Sequence, residues 1–169
     1  MLKWLNNKKK DNKGFSLVEL IIVVAILAIL VGLLAPQYIK YVEKSRKSAD
    51  ASNLSEMVNA IQVKAADSDS SLPSGGYTIT ISHTKGTNVT VEGVAGDGVT
   101  PSNDDVDEIK DAIREAIPEY ESTVLKSGKW GTNGGAADIS ATVTILKTGA
   151  TTVSYSPEPL QTFMNKKTN

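Results

Sequence analysis

The most uneven feature of the sequence is a long apolar run near its start. In the 21 residues from 15 to 35, only Ser16 and Glu19 are strongly polar. A helix needs about 20 apolar residues to cross a bilayer core, so the run is long enough to span a membrane. A buried helix of a soluble core is one alternative, but a domain this small has little protein to surround it. A secretory signal peptide is the other, but it requires a small-residue cleavage site after the run, and the sequence at 35–37 does not fit.

Beyond Pro36 the pattern becomes amphipathic and predicts a continuation of the same helix. Apolar side chains recur with the spacing of one helical face, at Leu54, Met57, Val58, Ile61 and Ala65. Glu43 with Lys47, and Arg46 with Asp50, are expected to pair at i, i+4 on the wet face. A single helix over residues 15–66 would be about 78 Å long, which far exceeds a bilayer. Half of it would therefore project beyond the membrane and carry the soluble part.

Pro36 and Gly32 mark a weak point in this helix. Pro36 has no N–H to donate to the carbonyl of Gly32, and glycine costs about 1 kcal/mol relative to alanine in a helix interior. We predict a mild kink here in the monomer, with unwinding between Leu27 and Pro36 in an assembled state as the alternative.

The rest of the chain predicts an α+β head. Alternating apolar and polar residues indicate four strands in one antiparallel sheet, over 77–82, 88–92, 139–145 and 151–155. The apolar face of this sheet is expected to cover the helical stripe. A further helix is predicted over 104–117, capped by Ser102. The end of the chain, from Pro157 onward, is expected to be a loosely held tail.

Composition narrows the possible chemistry. The chain has no cysteine and one histidine, which excludes disulfides, thiolate metal sites and a cysteine nucleophile, and argues against a histidine-based triad. The net charge of −1 gives no bulk attraction to nucleic acid. We find no P-loop and no nucleophile elbow, so we expect a protein that is not an enzyme and has no cofactor.

Two further features could bind a ligand, but both have a simpler explanation. Residues 104–121 carry eight carboxylates, but Glu108 replaces the glycine of an EF-hand loop and Arg114 replaces its bidentate glutamate. We therefore expect a solvated acidic helix face and no metal site. His83, at a strand end, is expected to be exposed.

The junction between the basic start and the apolar run carries a distinctive pattern. Residues 1–14 hold five lysines and one aspartate, a net charge of +4. The small residue Gly14 lies before the apolar run, so cleavage after it would leave the helix on the product and create a new amine at Phe15. Alone in hydrocarbon, Glu19 would cost about 2.5–3.5 kcal/mol, so it requires a partner. The Phe15 amine is the partner that its own chain would offer.

The sequence GFSLVE at 14–19 strongly resembles the class III signal of type IV prepilins and pseudopilins. This resemblance implies that a membrane peptidase cleaves after Gly14 and methylates the nitrogen of Phe15. It implies that Glu19 serves assembly and that Pro36 is the family's helix-kinking proline. It also places the leader in the cytoplasm. The basic residues on the two sides of the membrane span are similar in number, so charge alone barely decides this orientation.

The resemblance implies a structural subunit of a type IV pilus, a major pilin, serving adhesion, twitching motility or biofilm formation. The alternative is a pseudopilin of a type II secretion or DNA-uptake system, which has the same N-terminus. The expected partners are the prepilin peptidase, the pilus assembly machinery, the membrane before assembly, and other copies in a helical filament, with nucleic acid not expected. The precursor would cross the inner membrane once, and the mature subunit would lie in an extracellular pilus. Four regions are expected along the chain. They are a basic leader (1–14), a hydrophobic transmembrane and polymerisation helix (15–36), the amphipathic half of that helix (37–66) and a globular head (67–169).

Overall fold

The computed structural model describes residues 14–67, 72–92 and 101–167. The chain divides into two compact units, with the boundary between Tyr41 and Val42. Helix α1 (Leu17–Ala66) begins in the first unit and ends in the second. The predicted long helix is therefore confirmed, and it begins at Leu17.

The described part of the first unit is helix α1 as far as Tyr41 and the three residues before the helix. Every described side chain of this unit is exposed, and even the least exposed of its large apolar side chains, Val23, remains 46% accessible. Its many β-branched residues are poor helix formers in water. In lipid the backbone must satisfy its hydrogen bonds internally, so the helix is favoured there despite this composition.

The second unit contains a four-stranded antiparallel sheet. The strands are β1 (Gly75–Ile81), β2 (Thr87–Glu92), β3 (Ile139–Ile145) and β4 (Thr151–Ser156). Their order in the sheet is β2-β1-β3-β4, so the first hairpin and the second hairpin are joined through β1 and β3. All four predicted strands are present, and each predicted range agrees with the structure to within about two residues.

The sheet and the second half of α1 bury a common core. Leu54, Met57, Val58 and Ile61 on the helix are at most 3% exposed, and they cluster with the inward-facing residues of β1 and β3, such as Ile79. Burying four such side chains contributes about 6–12 kcal/mol, as an upper bound. The predicted α+β fold, with the helical stripe packed on the sheet, is confirmed.

Helix α2 (Asn103–Ala116) begins where the sequence predicts. The Ser102 hydroxyl accepts from the backbone N–H of Asp105, and the Asp105 carboxylate accepts from the Ser102 N–H at 2.6 Å, which completes a capping box. Val106, Ile109 and Ile113 are buried on one face and join the common core.

The turn between β1 and β2 requires glycine. Gly86 has a φ of 77°, and a Cβ on it would lie 2.0 Å from the carbonyl oxygen of Glu121. This close approach seats the short 3₁₀ helix at Tyr120–Ser122 against the turn.

The prediction of a loosely held tail is wrong. Residues Glu158–Lys167 form helix α3, in which Leu160 is fully buried and Met164 is 8% exposed. The ring of Phe163 packs edge-on against Trp130, with centroids 5.7 Å apart. Leu160, Phe163 and Met164 lie at i, i+3 and i+4, and this apolar spacing was the overlooked signal.

Candidate processing and assembly site

The bond between Gly14 and Phe15 lies in an exposed, non-helical segment directly before α1. Both residues are exposed, and Phe15 is 83% accessible. A Cβ on Gly14 would have no neighbour within 4 Å, and the backbone there is not left-handed. Neither packing nor conformation requires glycine at this position. A small residue is therefore available here for recognition by another molecule, and the backbone is accessible to a peptidase.

Glu19 has a partner in its own chain that the sequence analysis did not identify. Its Oε2 accepts a hydrogen bond from the backbone N–H of Ser16 at 2.9 Å. The N–H of Leu20 in turn donates to the carbonyl of Ser16, so Ser16 lies at the N-cap and Glu19 at the third helical position. The carboxylate also lies in the first turn, where the positive end of the helix dipole favours it. In the full chain, Glu19 is thus held close to the segment that would be cleaved.

The helix that follows Glu19 is long and apolar enough to cross a membrane. None of its most apolar 18-residue window is buried within the described part of the protein. A core helix of a soluble protein can be as long and as apolar, but it would be mostly buried. The complete exposure of the window therefore favours a partner outside the chain, either lipid or other apolar helices.

Gly32 and Pro36 both lie within α1, which the structure describes as helical from Leu17 to Ala66. A Cβ on Gly32 would meet no atom within 4 Å, so packing within the chain does not require this glycine either. The kink and the unwinding assigned to these two residues remain predictions.

The residue that links α1 to the head is Asp50, which sequence reasoning placed on the wet face. Its side chain is fully buried, and its carboxylate accepts three hydrogen bonds. The donors are the backbone N–H of Lys126 at 2.8 Å, the backbone N–H of Ser127 at 2.9 Å and the indole Nε1 of Trp130 at 3.0 Å. One carboxylate on the helix is therefore hydrogen-bonded to both ends of the loop at 126–130.

Neighbouring residues on α1 support the same loop. The ammonium of Lys47 lies 4.8 Å from the centre of the Trp130 ring, a cation–π contact. Glu43 accepts a hydrogen bond from the Ser127 hydroxyl. The expected pairs of Glu43 with Lys47 and of Arg46 with Asp50 are thus wrong: three of these four side chains contact the loop instead. Asp50 lies four residues before the buried Leu54, and this position on the apolar stripe was the available signal.

The acidic region contains exposed ion pairs, whereas His83 is not exposed as the sequence predicts. On α2 and after it, Arg114 bonds to both Asp111 and Glu121, an exposed ion-pair arrangement. Among the residues that the structure describes, no group of three or more His, Asp or Glu could hold a metal ion. His83 is half-buried rather than exposed, and its Nε2 is buried without a hydrogen-bond partner.

A comparison with known protein families finds a match near the start of the chain. Residues 9–35 match the family model described as the prokaryotic N-terminal methylation motif. No curated protein and no solved structure matches the chain. The matched range contains Gly14, Phe15, Glu19 and Gly32, and it ends one residue before Pro36. The match supports a type IV pilin-like prepilin signal at the start of a membrane-anchored precursor.

Proposed function

We propose that this protein is the structural subunit of a type IV pilus filament. The observation that carries the proposal is the position of the methylation motif directly before a helix with two different halves. The first half exposes every side chain, whereas the second half packs on a folded head. Such a chain has a membrane-compatible segment that stays available for contacts with other copies after it leaves the bilayer.

In this proposal, a prepilin peptidase cleaves after Gly14 and methylates the new amine of Phe15. Cleavage removes the net charge of +4 from residues 1–14 and leaves one positive amine at the end of an apolar helix. In a staggered stack of parallel helices, that amine lies beside the Glu19 carboxylate of a neighbouring copy. The charges attract strongly where water is scarce, and an unpaired charge is costly there. The pair would therefore set the axial register of an otherwise apolar interface.

Release of Glu19 from its present bond is part of the same step. In the full chain the carboxylate accepts from the Ser16 N–H, which is a local bond of modest net energy. Both bonds involve the carboxylate charge, but the amine also brings a full positive charge, and the attraction between the two opposite charges favours the assembled state.

The second candidate function is that of a pseudopilin in a type II secretion or DNA-uptake system. The methylation motif supports both functions equally, because it lies in the part that both classes of subunit have in common. We favour a pilus, and with it adhesion, twitching motility or biofilm formation at the cell surface. We propose a structural role and not a catalytic one.

The test is to shear filaments from intact cells and identify the subunit by mass spectrometry. We expect long surface filaments whose subunit begins at N-methylated Phe15, and their loss when the coding region is deleted. A mature chain that retains the leader contradicts the processing claim. Correct processing without surface filaments, together with a secretion or DNA-uptake defect, selects the pseudopilin.

A further inference from the structure

A groove of about 600 Å³ lies between the C-terminal part of α1 and helix α2, within the second unit. Small side chains form part of its lining: Ala60 on α1, and Ala112 and Ala116 on α2. Val63 also lines it and is 72% exposed, the highest exposure of any large apolar side chain in the described part of the second unit. Its size lies within the range of about 300–1,000 Å³ typical of ligand-binding clefts.

The edge of this groove is acidic. Glu56, Asp67 and Glu115 line it together with Lys64, whose ammonium is bound to Glu108 at 2.9 Å. That hydrogen bond raises the pKa of Lys64, and the charges of Asp67 and Glu115 raise it further. The lysine is thus surrounded by carboxylates, and the groove has a net negative charge. An apolar floor with an acidic edge fits an apolar or aromatic side chain flanked by positive charge.

The chain itself presents such a segment on α1. Tyr38 and Tyr41 are 69% and 73% exposed, and Lys44 is exposed three residues further along the same helix. Residues three apart are neighbours on a helix surface, so Tyr41 lies next to Tyr38 on one side and next to Lys44 on the other. Lys40, which is also exposed, lies one turn before Lys44 and adds a second positive charge.

We propose that the groove between α1 and α2 of one copy receives the Tyr38–Lys44 strip of α1 from a second copy. The inference rests on the proposed filament function and names one of the contacts that would build it. Tyr41 would fill the apolar floor beside Val63, while Lys44 would approach Glu115 at the edge. Opposite charges at the edge would select this register over others.

The geometry of this contact favours a chain of subunits over a closed dimer. The groove and the strip are different surfaces of the same protein, so each copy offers one of each. A head-to-tail contact of this kind gives an open helical array unless its rotation closes a ring. Each single contact can be weak, because the packing of α1 against its neighbours raises the effective concentration of the two surfaces.

Cross-linking of full-length protein in cells that make filaments tests the contact. The chain contains no cysteine, so introduced thiols react without background. In sheared filaments of the double variant Tyr41→Cys/Val63→Cys, a short bis-maleimide should produce a ladder of covalent oligomers. Each single variant should stop at the dimer or below. The matched control is Tyr41→Cys/Thr132→Cys, which keeps the thiol on the helix and moves the head thiol to an exposed loop residue that does not line the groove.

A ladder specific to the groove pair supports the proposal. Filaments that form normally but give no more cross-linking than the control overturn it, and leave the filament function intact. Absence of wild-type filaments, by contrast, contradicts the proposed function itself.

A charge exchange provides a second measurement if the thiol variant does not assemble. Lys44→Glu should lower sheared-filament yield by about tenfold without reducing the membrane pool of subunit, because it places like charges at the edge. Adding Glu115→Lys should restore the yield to within about threefold of wild type. An unchanged yield from Lys44→Glu, or no rescue by the second substitution, overturns the inference.

Discussion

Replacement of Asp50 by alanine is expected to destabilise the second unit by about 4 kcal/mol. The carboxylate is fully buried and accepts hydrogen bonds from Lys126, Ser127 and Trp130. The bonds from Ser127 and Trp130 are themselves buried, so the substitution leaves at least two donors without a partner. Each orphaned buried donor costs about 1–3 kcal/mol, which gives about 2–6 kcal/mol in total.

The assay is urea and thermal unfolding of a fragment that begins at residue 37. This fragment lacks the exposed apolar run but keeps the helical stripe and all four strands. We expect a soluble monomer with mixed helix and strand circular dichroism and one cooperative transition. Asp50→Ala should lower its Tm by about 15 °C, given about 4 °C per kcal/mol for a unit of this size. Asp50→Asn should cost less, because the isosteric amide keeps one acceptor oxygen.

The matched control is Glu56→Ala, which removes an exposed carboxylate from the same helix. It should change the free energy of unfolding by no more than about 0.5 kcal/mol. A loss from Asp50→Ala below about 1 kcal/mol would refute the reasoning, since it would mean that the three donors find other acceptors. A wild-type fragment that aggregates would contradict the packing of the sheet on the helix.

Three further predictions concern processing, assembly and pH. Gly14→Val should leave the leader attached, because the junction loses its one small residue, and mass spectrometry should then find no chain beginning at Phe15. Glu19→Ala should insert and be cleaved but yield few filaments, whereas a normal yield in a shearing assay would exclude the register role. Burial raises the pKa of Tyr77 above its ordinary value of 10.0, and burial raises the pKa of Tyr120 to about 12. These phenols contribute their full stabilisation of the folded state below pH 10 and lose it as the pH rises from about 10 to 12. The urea midpoint of the fragment should therefore fall between about pH 10 and pH 12, and the phenols should not lower it at a pH below 10.

Local patterns in the sequence were sufficient to predict helices α1 and α2 and all four strands. The apolar run, the stripe that begins at Leu54 and the alternating strands each repeat with the period of their own structure, so each is legible without knowledge of its neighbours. The pattern of Gly14, Phe15 and Glu19 can be recognised from the sequence for a similar reason, because these residues lie within six consecutive positions. The cap at Ser102 follows from residues three positions apart.

Tertiary structure decided which polar residues are buried and which surfaces lie side by side. Asp50 is about 80 residues from Trp130 in sequence, and no local period shows that a carboxylate on α1 will meet an indole in a distant loop. The pairing of β1 with β3 likewise joins residues remote in sequence, from Ile81 with Ile139 to Gly75 with Ile145. Helix α3 is held by contacts of Leu160 and Phe163 with the core. Its apolar repeat is short, so the repeat alone was not enough to predict a helix there. Such features depend on the free energy of contacts between remote segments, which only the folded chain brings together.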